Sequence, residues 1–426
     1  MRSSIIFIYI LLTITQANAQ QASSLDDLVL LAFKNNMSIK DAAIDSLKYE
    51  QASKYNNYNY LPQLSATVRN TYNWGLFIDP ATNVLSNFNS QVYSFNIQSD
   101  WLLFDGGKNF YTGQMYDIGK QVSHQQYRQN LFDLKTQITI LYYKYWQADA
   151  QKLLADKVYE EWLLKRKKIQ SMVTAGVLPA KELPHIDAYV TLNKLNIAKL
   201  ENQKNILYKQ IQGICYTNDS INIKTPEKWS VVPAQEYNFS VSNFPVYHTY
   251  QSMASLENQR ISLYKSTRFP TAGIMAGWVT RSSSLVQMEL NTQFNTNLSK
   301  YVAFYVNIPL FNKMQPKSLI SQSQIEQKRY TYKIAQLDFE LRAKINQLKE
   351  QLKLTQDAYI IITKQIEYLR SETNLERKAF DLGNTTYFEL ESAEQRLENA
   401  EASLLQYQYD MILYTKLLDS YHTKFE

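Results

Sequence analysis

The sequence predicts a mainly helical protein with a smaller membrane portion, in which long coiled-coil helices accompany four transmembrane strands per chain. The first observation is an internal repeat, because the apolar spacing of residues 134–148 returns 207 residues later at 341–355. The second is a stretch of 66 residues between Pro316 and Gly383 that contains neither glycine nor proline. The third is a set of four segments in which apolar and polar residues alternate, as they do in half-buried strands.

Residues 1–19 have the composition of a secretory signal peptide. Arg2 gives a basic start, residues 5–14 are predominantly apolar, and Ala17-Asn18-Ala19 has the small residues typical of a cleavage site. No cysteine follows this site closely, which argues against a bacterial lipid anchor. Later apolar runs are too short for a membrane-spanning helix, so a chain that crosses a membrane would need a closed β-barrel.

Composition and charge exclude several classes of function. The 45 basic and 39 acidic residues are mixed along the chain and give a net charge of +6, which predicts no nucleic-acid partner. A single cysteine, Cys215, excludes an internal disulfide, and the four histidines are scattered without the spacing of metal ligands. Nucleophile motifs and phosphate-binding loops are missing, so the sequence predicts neither an enzyme nor a cofactor.

The first structural repeat, residues 20–214, is predicted to run helix, strand, strand, long helix, helix. Helical spacing over 25–60 breaks near Asn35 and stops before Pro62, because the residue preceding a proline avoids the helical region. Alternating segments over 64–76 and 93–103 then predict a hairpin of two strands with a polar loop between them. The long helix is expected to begin after Gly119 and to continue to Ala175.

The second structural repeat, residues 244–426, is predicted to follow the same order after a linker of mixed, strand-like character at 215–243. A helix stops before Pro270, and strands are expected over 272–278 and 302–310. The helix that follows would be about 100 Å long at 1.5 Å per residue. Its apolar seam is diluted by residues such as Thr355, which favours a wide ring of helices over a two-stranded rope.

Glycines mark the turn between the two helices of each repeat. Gly176 and Gly383 are each expected to end a long helix in the left-handed conformation. Glu182 and Glu389 follow six residues later, in the first helical turn, where an acid complements the helix dipole. Helix capping alone would explain both pairs, although a turn predicted to lie far from the strands could also serve a second role.

Four strands cannot close a barrel, because the smallest transmembrane barrels have about eight. Open edges in lipid would leave unpaired backbone groups, so several chains must combine their strands. Two chains would give eight strands around a filled interior, and three would give twelve around an open lumen. Three tryptophans near predicted strand ends are typical of aromatic belts at a membrane interface. These residues are Trp74, Trp101 and Trp278.

The order and the double occurrence of these features resemble the TolC-like outer-membrane efflux protein family over essentially the whole mature chain. The resemblance depends on the two tips, on the strand exit at 103–107 and on the joins at Pro62 and Pro270. It implies a homotrimer, whose twelve-stranded barrel lies in the lipid of a Gram-negative outer membrane and whose helical tunnel forms a large periplasmic portion.

The resemblance also implies a function and a set of partners. The chain would be the passive exit duct of a tripartite efflux pump or a type I secretion system, together with a periplasmic adaptor protein and an inner-membrane transporter. Glu389 would narrow the entrance of the duct, with Glu182 and Glu391 as further candidates. The family's second acid falls at Ser392 and its pairing basic residue at Thr385, so this chain departs from the family pattern. The adaptor-docking positions would be Ala175, Gly176, Val177, Leu382, Gly383 and Asn384.

Two other interpretations compete with the export duct. A periplasmic coiled-coil scaffold would explain the signal peptide and the helices, but it leaves four amphipathic strands without a role. A secreted enzyme has almost no support, because the acids near the tips are better explained as helix caps or as an entrance ring.

Overall fold

A computed structural model describes residues 24–79, 81–224 and 239–422. The predicted signal peptide at 1–19 and residues 225–238 of the predicted linker lie outside the described residues. The helices are α1 (Leu25–Asn35), α2 (Met37–Asn56), α3 (Lys108–Thr174), α4 (Glu182–Ile214), α5 (Pro245–Ser266), α6 (Leu290–Thr296), α7 (Gln315–Asp381) and α8 (Tyr387–His422). The strands are β1 (Gln63–Asn73), β2 (Leu76–Ile78), β3 (Leu85–Asn87), β4 (Ser90–Phe104), β5 (Thr271–Ser283) and β6 (Ser299–Asn307).

The internal repeat is visible in the bounds of the two longest helices. Both α3 and α7 contain 67 residues, and each end of α7 lies 207 residues after the corresponding end of α3. The helix break near Asn35 is confirmed, since α1 ends at that residue and α2 begins at Met37. The outer boundaries of the repeats at 20, 214 and 244 stay predictions.

The chain forms two compact units, which we call the helical unit and the sheet unit. The helical unit contains the described residues up to 42, then 126–247 and those from 336 onward. The sheet unit contains 43–125 and 248–335. In the described part of the chain, no helix has both the length and the apolar character that crossing a membrane requires.

The sheet unit contains a four-stranded antiparallel sheet in the order β1-β4-β5-β6. The predicted hairpin is confirmed, because Ala66 of β1 lies opposite Ile97 of β4. The register continues from Ile97 to Trp278 of β5 and from Trp278 to Lys300 of β6. Since side chains alternate between the faces of a strand, these four residues lie on one face of the sheet.

Several predicted bounds in the sheet unit were wrong. The first strand ends at Asn73, and the segment beyond Gly75 forms a separate small hairpin of β2 and β3. The helix expected to start after Gly119 begins at Lys108 instead. Gly119 lies inside the helix, where an added Cβ would stand 2.5 Å from two ring carbons of Tyr49 on α2. This glycine therefore permits close packing of α2 and does not mark a helix start.

The helical unit has an apolar core along the predicted seams. Ile138 of α3 and Ile211 of α4 are fully buried in one cluster, together with Trp146 and Tyr409. The ring centroids of Trp146 and Tyr409 lie 4.6 Å apart in an edge-to-face arrangement, so this contact joins α3 to α8. The position of Ile138 in the second repeat is Ile345, which is buried in a matching cluster between α7 and α8.

Candidate functional site at the helix tips

The tip turns of the helical unit have the same backbone geometry in both repeats. Val177 donates its N–H to the carbonyl of Met172 at 2.8 Å, and Gly176 donates to Val173 at 3.0 Å. This pair of bonds is the Schellman arrangement, and it recurs with the same distances around Gly383. The φ angles are 75° at Gly176 and 76° at Gly383, so both glycines adopt the predicted left-handed conformation.

The predicted docking residues present apolar side chains to solvent. Val177 is 65% exposed and Leu382 is 76% exposed, and Phe388 nearby in sequence is 61% exposed. Nothing lies within 4 Å of the position that a Cβ would take on Gly176 or Gly383. The tips therefore combine a fixed backbone with accessible apolar groups, which suits a surface that binds a protein partner.

Glu389 caps α8 and remains in solvent. Its carboxylate accepts hydrogen bonds from the Thr385 hydroxyl at 2.5 Å and from the Thr386 backbone N–H at 2.9 Å. Glu389 donates its own N–H to the Thr386 hydroxyl at 3.3 Å, which completes a capping box. The Thr385 hydroxyl and the Thr386 groups hold the pKa of Glu389 below its ordinary value. Thr385, where the sequence departs from the family pattern, thus anchors the acid.

Glu182 has a different local setting, although it also lies in a first helical turn. It is the first residue of α4 and donates its N–H to the carbonyl of Pro179 at 3.1 Å. The preceding residue, Lys181, has helical angles and caps no N–H with its side chain. The two repeats are therefore unequal here, because only the second tip has a capping box.

Glu391 points into the packed helices and is 1% exposed. His185 of α4 lies close, with Nε2 at 2.8 Å from Oε2 of Glu391, but the contact lacks the alignment of a hydrogen bond. Burial raises the pKa of Glu391 to about 7, although the nearby His185 opposes the change. Within one chain, Glu391 therefore contacts His185 in the packed interior, whereas Glu389 faces solvent.

Sequence reasoning missed most of a buried charged cluster beside Glu391. Glu394 contacts Lys165 of α3 and Arg377 of α7, each at 2.8 Å. Glu398 accepts hydrogen bonds from Trp162 Nε1 of α3 at 3.0 and 3.2 Å. The available signal was spacing, because positions 391, 394 and 398 follow the i, i+3, i+7 pattern of a single helix face. That face also carries Leu390 and Leu397, so it could have been recognised as the packed one.

The tryptophans predicted at a membrane interface lie on or beside the strands. Trp74 follows β1 and is 75% exposed, while Trp101 of β4 donates its indole N–H to the carbonyl of Tyr60 at 2.8 Å. Trp278 is 55% exposed and lies inside β5, opposite Lys300 near the start of β6. Trp101 and Trp278 lie on one face of the sheet. Trp278 is directly opposite Ile97, and Trp101 lies four residues after Ile97 on the same strand, so its side chain points to the same side.

A family model matches part of the second half of the chain. Residues 254–415 match the model of the family described as outer membrane efflux protein. The matched segment covers most of the predicted second repeat. The resemblance inferred from the sequence is thereby confirmed, and the family's description confirms the predicted location in the outer membrane.

Several solved structures have the same fold as this chain. CusC is 14% identical, with a TM-score of 0.80, and the match covers 96% of this chain and 92% of CusC. The Campylobacter jejuni CmeC outer membrane channel is 14% identical, with a TM-score of 0.75 and coverage of 94% and 87%. The open state of the Neisseria gonorrhoeae MtrE outer membrane channel is 15% identical, with a TM-score of 0.75 and coverage of 94% and 89%.

These identities establish the fold alone, and they confirm the predicted class of long helices with a smaller portion of strands. No curated protein matches the sequence of the chain.

Proposed function

We propose that the chain is the passive exit duct of a tripartite efflux pump or a type I secretion system, working as a homotrimer without catalytic activity. The observation that carries this proposal is the amphipathic four-stranded sheet with two open edges. Among the described residues, β1 and β6 each pair on one side only. A sheet of this kind is stable in lipid only when its edges are paired, as in a closed barrel.

One face of the sheet is apolar and uncovered. Leu64 and Val68 of β1 are each 74% exposed, and Val302 of β6 is 79% exposed. The residues between them on the opposite face are polar, for example Thr67 of β1 and Asn96 of β4. A face of this type suits outer-membrane lipid, while the polar face suits a water-filled lumen. Three chains would close twelve strands around that lumen.

A stripe of apolar residues along α7 supports assembly with further copies of the chain. Its members recur every seven residues, which is the spacing of a coiled-coil seam. Each is exposed in the single chain by between 64% and 74%. The residues are Leu354, Ile361, Tyr368 and Leu375. We assign this stripe to the seam with a second copy, whose α4 offers exposed Leu192, Leu195 and Ile206.

The tips suit the predicted contact with a periplasmic adaptor, through which an inner-membrane transporter would deliver its substrate. The docking surface consists of the tip turns, from which Val177 and Leu382 extend their side chains. Three copies of the exposed Glu389 would form a ring of negative charge at the entrance, which favours cations. Glu182 is a further candidate for the ring, whereas Glu391 reaches the lumen only if α8 moves away from α4.

Conductance in planar lipid bilayers tests the duct. Purified trimers are expected to form water-filled pores, and Glu389→Ala is expected to lower cation selectivity and blockade by multivalent cations. Glu350→Ala, at an exposed acid along α7, serves as the matched control. Absence of conductance under every opening condition would overturn the duct, while unchanged selectivity would overturn only the role of Glu389.

Two further measurements test the assembly and the partners. Heat-modifiable trimers that only detergent extracts from membranes would exclude the alternative of a periplasmic scaffold. Leu382→Asp is expected to abolish adaptor-dependent efflux while leaving conductance unchanged. Efflux that persists in this variant would contradict the docking assignment.

A further inference from the structure

Three acids near the start of α8 face the other three long helices of the helical unit. Glu391 faces His185 of α4, Glu394 faces Lys165 of α3 and Arg377 of α7, and Glu398 faces Trp162 of α3. We propose that Glu391 and Glu398 form a proton-operated latch, which holds the start of α8 against α3 and α4 while both carboxyls are protonated and loosens when they ionise.

The distribution of positive charge supports this assignment. Lys165 and Arg377 both direct their cationic groups at Glu394, each at 2.8 Å. The nitrogen of Lys165 is 4.0 Å from Glu398, and it also lies 4.2 Å from the centre of the Trp162 ring. Glu394 thus takes the close ion pairs of the cluster, and the two acids beside it lack a strong one.

The surroundings of Glu391 favour its neutral form. Neither carboxylate oxygen has a hydrogen-bond donor among the described residues, and the hydroxyl of Tyr387, one turn earlier, is likewise buried without a partner. Glu182 of α4 and Glu394 of α8 add negative charge, while His185 is the one basic group in contact among the residues that the structure describes. A charged carboxylate in such a place is expensive, and a protonated one is tolerated.

Glu398 is in a similar electrostatic setting but has access to water. Burial, with smaller contributions from Glu394 of α8 and Glu161 of α3, raises the pKa of Glu398 to about 7, while Lys165 and the Trp162 N–H oppose the change. A cavity of about 240 Å³ between α3, α4 and α8 has Glu398 in its wall, with Asn193 and Asn196 of α4. This cavity gives protons a path to the acid and leaves α8 room to shift.

The direction of the pH effect follows from the two states of each acid. An exposed glutamate ionises near 4.5, whereas the packed Glu391 and Glu398 ionise at about 7. The packed state therefore binds more protons, so it is favoured at low pH and loses stability as the pH rises from 4.5 to 7. Above pH 7 both states are ionised and no further change is expected.

Hydrogen–deuterium exchange of the purified full-length protein tests the latch between pH 5.0 and 7.5. After correction for the intrinsic exchange rate, protection of backbone amides in 387–400 is expected to fall by about 10- to 100-fold as the pH rises. The double variant Glu391→Gln/Glu398→Gln keeps the neutral shape and is expected to stay protected throughout. Glu401→Gln, at an acid further along α8 that pairs with Arg370, is expected to behave like wild type.

Protection in the wild type that does not depend on pH would overturn the proposal, even if the double variant failed to fold. The same pH dependence in wild type and double variant would also overturn it. If the double variant does not fold, the pH dependence of Glu391→Gln is compared with that of the wild type instead. The consequence for transport, that release of α8 widens the entrance, rests on the proposed function. Since exchange is measured without a bilayer, its result is distinguishable from a failure of the duct in conductance experiments.

Discussion

Replacing Ile361 by serine tests the apolar stripe of α7, because this residue would contribute to the proposed seam between copies and contributes little to the packing of the single chain. Ile361 is 65% exposed, and complete burial of such a side chain contributes about 1.5–3 kcal/mol. Covering the exposed part would therefore stabilise one proposed seam by about 1–2 kcal/mol, and the three seams of the proposed trimer by about 3–6 kcal/mol. At 1.4 kcal/mol per factor of ten, the assembly constant should fall by about 10²–10⁴ in Ile361→Ser.

Light scattering of the detergent-solubilised protein at increasing denaturant measures this change, as the concentration at which trimers dissociate. Glu367→Ser is the matched control, since Glu367 is exposed on the same helix and lies about 100° around the axis from Tyr368. An unchanged midpoint in Ile361→Ser, or an equal shift in the control, would refute the assignment of this stripe to an interface between copies. Secondary structure measured by circular dichroism should be the same in all three proteins.

Three further predictions concern the tips. Gly383→Ala should destabilise the helical unit by about 1–2 kcal/mol in denaturant unfolding, because alanine is strained at a φ of 76°. Gly213→Ala, inside α4, should be neutral or stabilising. A larger loss of stability in Gly213→Ala than in Gly383→Ala would contradict this account of the turn. Trp162→Ala should lower the free energy of unfolding by about 3–5 kcal/mol in the same assay, since the side chain is fully buried. A loss no larger than that of an alanine substitution at an exposed residue would be inconsistent with that packing. The lowered pKa of Glu389 implies stability that is present above pH 4.5 and lost as the pH falls further, so thermal melting from pH 6 to pH 3 should show an acid-dependent loss in wild type that Glu389→Gln lacks.

Features with a local cause were predictable from the sequence. The left-handed glycines at 176 and 383 follow from the end of an apolar helical pattern, and the structure places both as expected. The stop at Pro62 is also local, since proline restricts the residue before it. The long helices were predictable because their apolar spacing has the same period throughout. The repeat supported each of them, because the same spacing occurs in both halves of the sequence.

Features that depend on a distant partner were not predictable. Gly119 looked like a helix boundary, and only the ring of Tyr49 against it shows that the helix continues. The spacing along α8 could indicate its packed face, but the contact of Glu391 with His185 could not be predicted, because it joins residues more than 200 positions apart and glutamate is rarely buried. The short helix α6 was missed for a similar reason, since Gln293 anchors it by accepting hydrogen bonds from Ser282 and Ser283 of β5.

The equal length of α3 and α7 restricts how a chain of this kind can change in length. One inserted residue would rotate everything beyond it by about 100° and advance it by 1.5 Å. The stripe that begins at Leu354 would then turn away from the seam proposed for it. Only insertions of whole heptads, matched in the outgoing and returning helices of both repeats, would keep every seam in register. Natural variation in the length of these helices among related chains should therefore occur in steps of about 10 Å rather than continuously.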